Sequence, residues 1–325
     1  MRYLVTGAAG QDGILISRLL LKDEAEVIGI CKEAQIDRLS KTLPGVTLDF
    51  ADKKNSKNIT DLLQKYRPTH IINLAGFSSV KESWNYPYEC LETNSGLVTQ
   101  IIEWLAMYSP NSRLIQASSS EIFGASESYP QNETYLLSPS SPYGIAKSFS
   151  HDLIKVYRQK CSLNVSSAIL YNHESPLRKS EFVTKHIVRN VARISMGLQD
   201  TMTIGNMDAK RDWGWAPDYV LGMKKMASSE YSEDFIFATG IQHSVRDFLS
   251  QAFELIGIKD YSKYLAQDEN ALRSVDPSNL CGDSTMAKKE LNWGHTKNFS
   301  EIVKIMLDWE LKVLQGENPD SWLQT

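Results

Sequence analysis

Three glycines at three-residue spacing, Gly7, Gly10 and Gly13, follow a short apolar run (Tyr3-Leu4-Val5) and precede Ile14, Leu15, Leu19 and Leu20 at helical spacing. Glycine permits a tight turn and lets another backbone or a ligand approach closely. A helix that starts just after such a turn directs unpaired N–H groups and a positive dipole at an anion. Set after a strand at the start of a βαβ unit, the pattern predicts a dinucleotide pyrophosphate site. Gln11 and Asp12, inside the turn, are assigned to the same site.

The rest of the first half supports this reading. Val27–Cys31, Val46–Phe50, Thr69–Ala75, Arg113–Ala117 and Val165–Leu170 read as further strands. Helical segments are expected at Ile59–Tyr66, Gly96–Met107 and Tyr143–Gln159. Alternating strands and helices imply right-handed crossovers and a parallel sheet covered on both faces. Leu74 and Ala75, at the end of the fourth strand, are assigned to the dinucleotide site. After residue 171 the alternation breaks, and helices are expected near Val183–Met196, Val245–Leu255 and Phe299–Leu314. The expected class is α/β, a Rossmann-type doubly wound parallel sheet with a smaller mixed α/β substrate-binding lobe. Residues 1–170 with a return segment near 217–240 form the dinucleotide-binding domain, and residues 171–216 and 241–325 the smaller lobe.

Composition narrows the class. The 325 residues carry 35 Lys and Arg against 39 Asp and Glu, a net charge of −4, so no basic footprint for nucleic acid or an anionic membrane exists. No apolar run approaches a membrane span, and the N-terminus lacks a signal-peptide core, which predicts a cytoplasmic protein. The four cysteines are scattered and the six histidines show no ligand spacing, so no metal site is expected.

At the tip of the second strand, Lys32 stands where a 2′-phosphate would sit, which favours NADP, and Glu33 keeps NAD as the alternative. Asp52, beyond the third strand, is a candidate acceptor for the adenine amino group. Tyr143 and Lys147 lie four apart and share a helix face. An ammonium and a cationic nicotinamide ring beside a phenol favour the phenolate, which can take a proton from an alcohol as hydride leaves the same carbon. Ser118, Ser119, Ser120 and Glu121 follow the fifth strand at the edge where open α/β sheets bind ligands.

Together these residues resemble the extended short-chain dehydrogenase/reductases that act on nucleotide sugars. The runs from Gln116 to Gly124, Ser141 to Gly144, Asn172 to Pro176, Phe182 to Thr184, Arg211 to Gly214 and His243 to Arg246 resemble the GDP-mannose 4,6-dehydratase family. The resemblance implies Tyr143 as the base at the sugar C4 hydroxyl, Lys147 as its partner on the nicotinamide ribose, Ser119 as the hydroxyl assisting at C4 and Glu121 as the second acid/base. It places Asn172, Val183, Lys185, Asn206, Arg211, Arg273 and Asp276 at the GDP moiety, with Ser78 and Ser120 on the sugar side. It also implies a GDP-hexose substrate and a homodimer or homotetramer. A 4-epimerase or 4-ketosugar reductase on the same fold is the alternative.

The chain departs from the family near the hexose. Gly76-Phe77-Ser78-Ser79 replaces Ala-Gln-Ser-His, and Leu177-Arg178-Lys179-Ser180 replaces Arg-Arg-Gly-Glu. The loop beyond the second strand lacks the family's paired arginines. Lost polar groups and added space fit either GDP-mannose or an acetamido sugar such as GDP-N-acetylglucosamine.

Overall fold

The computed structural model describes residues 1–51, 58–124, 126, 128–267, 280–318 and 321–324. Its first half runs β1 (Arg2–Thr6), α1 (Gln11–Lys22), β2 (Glu26–Cys31), α2 (Ile36–Thr42), β3 (Thr47–Phe50), α3 (Ile59–Tyr66) and β4 (His70–Asn73). Two short helices, α4 (Val80–Ser83) and α5 (Pro87–Leu91), lead to α6 (Leu97–Tyr108), β5 (Arg113–Ala117), α7 (Pro142–Cys161) and β6 (Val165–Leu170). The second half continues with β7 (Asn172–Glu174), α8 (Val183–Ser195), β8 (Met202–Ile204), β9 (Lys210–Trp215), α9 (Ala216–Ser228) and β10 (Phe235–Phe237). It ends with β11 (Gln242–Ser244), α10 (Val245–Leu255), β12 (Leu265–Gln267), α11 (Thr285–Leu291) and α12 (Phe299–Leu314).

Seven parallel strands form the main sheet in the order β10-β6-β5-β4-β1-β2-β3. Alternation along each strand feeds two cores, one on each face. Tyr3 and Val5, Ile72 and Ile115 enter one, while Leu4, Ile71 and Leu114 enter the other. This is why the strands read as unbroken apolar runs. α9 packs against α1, and β10 adds to the sheet beside β6. A separate core joins Ile187, Val188 and Val191 of α8 to Trp213 and Trp215 of β9, Phe248 of α10 and Met306 of α12. The segment Leu280–Trp293, which the sequence reading gives to the second lobe, packs instead into the core on the β10 side. Trp293 Nε1 donates to the Asp218 carbonyl at 2.7 Å.

Two local differences matter for the site. The strand expected at Thr69–Ala75 stops at Asn73, because the Leu74 and Ala75 N–H groups turn to the Thr6 hydroxyl at 3.1 and 3.0 Å. The helix expected from Gly96 is preceded by a π-helical turn, Glu92–Gly96, which widens the backbone beside α7.

β10 is fixed to the catalytic side of the sheet by a buried ion pair. The Asp234 carboxylate accepts two bonds from Arg158 of α7 (2.8 and 2.6 Å) and one from the Ser167 N–H (2.7 Å), with His151 Nε2 at 3.8 Å. Burial alone would raise the Asp234 carboxyl, but these partners hold it below its ordinary value. Asp234→Ala leaves the guanidinium buried and uncompensated, and urea unfolding should show a loss of about 3–5 kcal/mol. Because the carboxyl is depressed, this stabilisation is complete above about pH 4 and is lost as the pH falls through the folded value. The variant's deficit should therefore shrink toward acid pH.

Candidate active site

β1 and β4 are neighbours whose following connections leave in opposite directions across the sheet, so a crevice opens at their carboxyl ends. Gly7, at φ +66°, sits in that crevice. A Cβ there would lie 2.9 Å from both the Leu74 carbonyl carbon and the Ala75 nitrogen. At Gly13 a Cβ would come within 2.3 Å of the Gly7 carbonyl oxygen. Neither position has room for a side chain. Gly10 precedes α1 without a side-chain cap, leaving the first-turn N–H groups available to an anion.

Gly7, Gly10, Gly13, Leu74 and Ala75 are thus brought together. The side chains of Gln11 and Asp12 are not turned toward the crevice. Gln11 donates to the His173 carbonyl (3.1 Å) and accepts from Ser175 Oγ (2.7 Å), and Asp12 bonds to His173 Nε2 (2.9 Å). Only their backbone N–H groups remain for a phosphate. Lys32 is exposed just past β2, and Asp52 lies outside the described residues.

The residues that the sequence reading expects to transfer protons gather at the end of β5 and the start of α7. Ser141 caps α7 by accepting from the Gly144 N–H at 3.0 Å, and Pro142 occupies its first turn. This places Tyr143 and Lys147 one turn apart over the turn after β5. Ser119 hydrogen-bonds the Tyr143 phenol, and its hydroxyl also accepts from the Glu121 N–H at 3.3 Å. Glu121 is 8% exposed and its charge acts on the phenol. Lys147, 6% exposed, donates from Nζ to the Ala117 carbonyl at 2.9 Å and lies 5.8 Å from the Tyr143 ring centroid.

The sequence reading expects a lowered phenol pKa. In the fold burial pushes Tyr143 up to about 12; Ser119 lowers it, and the Glu121 charge adds to the rise. Burial likewise pushes Lys147 down to about 8. Desolvation outweighs the hydrogen bonds until further positive charge enters the cleft.

Asn94 was missed from sequence. It lies in the π-helical turn, with its Oδ1 buried and without a hydrogen-bond partner. A Cβ on Gly76 would sit 2.4 Å from that oxygen and 3.6 Å from Lys147 Nζ. Gly76 in place of the family's Ala therefore makes space for an amide beside the catalytic lysine. The available signal was a polar residue interrupting an apolar helical run. Arg178 was also passed over; its charge favours the Tyr143 phenolate while its Nε pairs with Glu174 at 3.2 Å.

On the nucleotide side, Asn172 begins β7 and Val183 begins α8, whose N-terminus has no side-chain cap. Lys185 does not reach outward: its ammonium pairs with Glu310 of α12 and donates to the Pro176 carbonyl at 2.8 Å. The helix period turns the next positions out instead, and His186, Arg189 and Arg193 line a cavity of about 340 Å³. Asn206 is exposed in the loop after β8, bonded to the Asp208 N–H at 3.0 Å. Arg211 is buried on β9. Its neighbour Asp212 faces the other way, accepting from the Thr239 N–H and hydroxyl and the Gly240 N–H at 2.6–2.9 Å, so the two do not form an ion pair. Ser78 is exposed, Ser120 is buried in the turn after β5, and Arg273 and Asp276 lie outside the described residues. Among the described residues no cluster of three His, Cys, Asp or Glu could hold a metal, and no helix is long and apolar enough to cross a membrane.

The GDP-mannose 4,6 dehydratase family model matches residues 4–306. Human GDP-mannose 4,6 dehydratase is 33% identical over 98% of this chain and 93% of its own length. Among solved structures, a Thermotoga maritima UDP-glucose 4-epimerase with UDP-glucose superposes with a TM-score of 0.83 at 22% identity, covering 97% of this chain and 100% of its own. A dTDP-glucose 4,6-dehydratase from Bacillus anthracis in complex with NAD gives 0.82 at 17% identity, covering 98% and 99%. The two structures share the fold, and the family match spans the glycine turn, the Ser119–Glu121 turn and the Tyr143–Lys147 helix: the chain belongs to the GDP-mannose 4,6 dehydratase family.

Proposed function

We propose that the protein is a nucleotide-sugar 4,6-dehydratase that converts a GDP-hexose to the GDP-4-keto-6-deoxy-hexose. The observation that carries this is the buried Glu121 carboxyl beside the Ser119–Tyr143–Lys147 group, since removal of water needs an acid/base that simple C4 oxidation does not. The glycine cradle and the uncapped end of α1 fit a nicotinamide dinucleotide, and exposed Lys32 favours NADP over NAD. Bound there beside Tyr143 and Lys147, a nicotinamide dinucleotide would supply a reversible hydride acceptor for the sugar. Tyr143 takes the C4 hydroxyl proton while Ser119 holds the same oxygen. The resulting ketone acidifies the C5 proton, which Glu121 removes. Glu121 then passes that proton to the C6 hydroxyl, which leaves as water, and after hydride delivery to C6 the proton that Tyr143 took from the C4 hydroxyl restores C5–H.

Residues 1–170 with the 217–240 return segment carry the dinucleotide in this reading, and residues 171–216 and 241–325 carry the GDP moiety. Exposed Ile145, Phe149 and Val156 on α7, with Met107 and Tyr108 on α6, support a homodimer or homotetramer. The balanced charge and the absence, among described residues, of a membrane-length helix support a cytoplasmic protein without membrane or nucleic-acid partners.

GDP-mannose and GDP-N-acetylglucosamine are the two candidate substrates, the second supported by Gly76 and Phe77 at the sugar-side turn. Incubation of the purified protein with each, followed by mass spectrometry, should show loss of one water from at least one. No loss from either would overturn the dehydratase reading. Glu121→Gln should still reduce the cofactor, seen as absorbance at the nicotinamide band, yet lose water roughly 10²–10⁴-fold more slowly. An epimerase or ketosugar reductase would tolerate the change. Lys147→Met should lower turnover at least a hundredfold and raise stability by about 1–3 kcal/mol at pH 7, because it removes a desolvated charge. Lys147 is depressed from about 10.5 to about 8 in the folded state, so that gain should fade as the pH rises through this window.

A further inference from the structure

The three residues of β7 direct alternate side chains to different helices. Glu174 turns to α8, accepting from Thr184 Oγ1 at 2.6 Å, with the charged Arg178 Nε 3.2 Å away. His173 turns to α1, with Nε2 2.9 Å from Asp12 Oδ2 and Nδ1 2.7 Å from the Tyr171 carbonyl oxygen. A carboxylate and a carbonyl only accept, so both ring nitrogens must donate and the ring is an imidazolium. It stacks on Tyr219 of α9, centroids 4.7 Å apart. The His173 carbonyl also accepts from Gln11, so one short strand holds both leading side chains of α1.

The charged and titratable groups facing this ring are Asp12 from α1, Glu174 from its own strand, Arg178 from the following loop and Tyr219 from α9. Burial and Arg178 work against the imidazolium, but Asp12 raises its pKa above the ordinary value. Burial works against the Asp12 carboxylate as well, and His173 holds it below its ordinary value.

We propose that Asp12 and His173 form a positioning pair for the dinucleotide, locking the first turn of α1 against β7 so that its N–H groups stay aimed at the pyrophosphate. The proposal rests on the reading of the glycine turn as the dinucleotide site. Neither side chain takes part in hydride or proton transfer. Their bond sets how tightly the cofactor is held.

The sign of the pH effect follows from the pair. His173 is raised, so the lock is complete below about pH 6.5 and is lost as the pH climbs through its folded value. Asp12 is depressed, so on the acid side the lock fails only below the ordinary carboxylate range. The affinity of the full-length apo-protein for NADP and for NAD should be measured by calorimetry from pH 6 to 9.5. NAD is the control without a 2′-phosphate, a group that itself titrates near ~6.

Wild type should bind most tightly at the acid end of this range and progressively more weakly as the pH climbs through the folded value of His173. His173→Gln, which keeps one donor but no charge, should bind about tenfold more weakly at pH 6 and show a smaller loss with rising pH than wild type, the remainder belonging to Lys147. Asp12→Asn should shift in the same direction. Binding within twofold of wild type by a folded His173→Gln would overturn the proposal. So would a flat wild-type profile across the range, which decides the matter even if both variants unfold. Failure of wild type to bind either dinucleotide would instead overturn the cofactor reading on which the proposal rests.

Discussion

Everything at the carboxyl edge of the sheet depends on how closely β1 and β4 approach one another. The Thr6 hydroxyl accepts from the Leu74 and Ala75 N–H groups and donates to Asn73 Oδ1, and Asn73 donates in turn to Gln116 at 2.6 Å. This buried polar chain joins the ends of three strands where apolar packing alone would leave them free to slide. With no Cβ at Gly7, the first turn settles directly on Leu74 and Ala75. A dinucleotide floor and a catalytic shelf after β5 are therefore built from one set of bonds.

The catalytic groups sit under opposing demands. Burial favours the neutral forms of both Tyr143 and Lys147. The protein has placed a phenol, an ammonium and a carboxyl where each weakens the solvation of the others. Such an arrangement is poor for stability and suited to proton transfer, since small changes of charge in the cleft move large populations between protonation states.

Much of the architecture was legible because long elements carry strong periodicity. The expected bounds of α3, β5, β6, α10 and α12 match the structure to the residue. The three-residue strands β7, β8, β11 and β12 carry no period to read, and the π-helical turn before α6 arises from packing on α7. In the site, glycine spacing and the Tyr143–Lys147 interval were readable because steric need dictates residue type. The direction of Lys185 was not. Whether a cation on α8 faces ligand or Glu310 depends on which side of the helix is buried, and the adjacent position, His186, is the one turned out.

β7 is so short that two adjacent residues address different machinery, α1 through His173 and α8 through Glu174. Insertion or deletion of one residue would exchange those addresses and break both connections at once. Evolutionary change of sugar preference is thereby steered away from this strand and into the segments flanking the cleft. The departures that the sequence reading expects near the hexose, Gly76–Ser79 and Leu177–Ser180, lie in just such segments, outside Asn172-His173-Glu174.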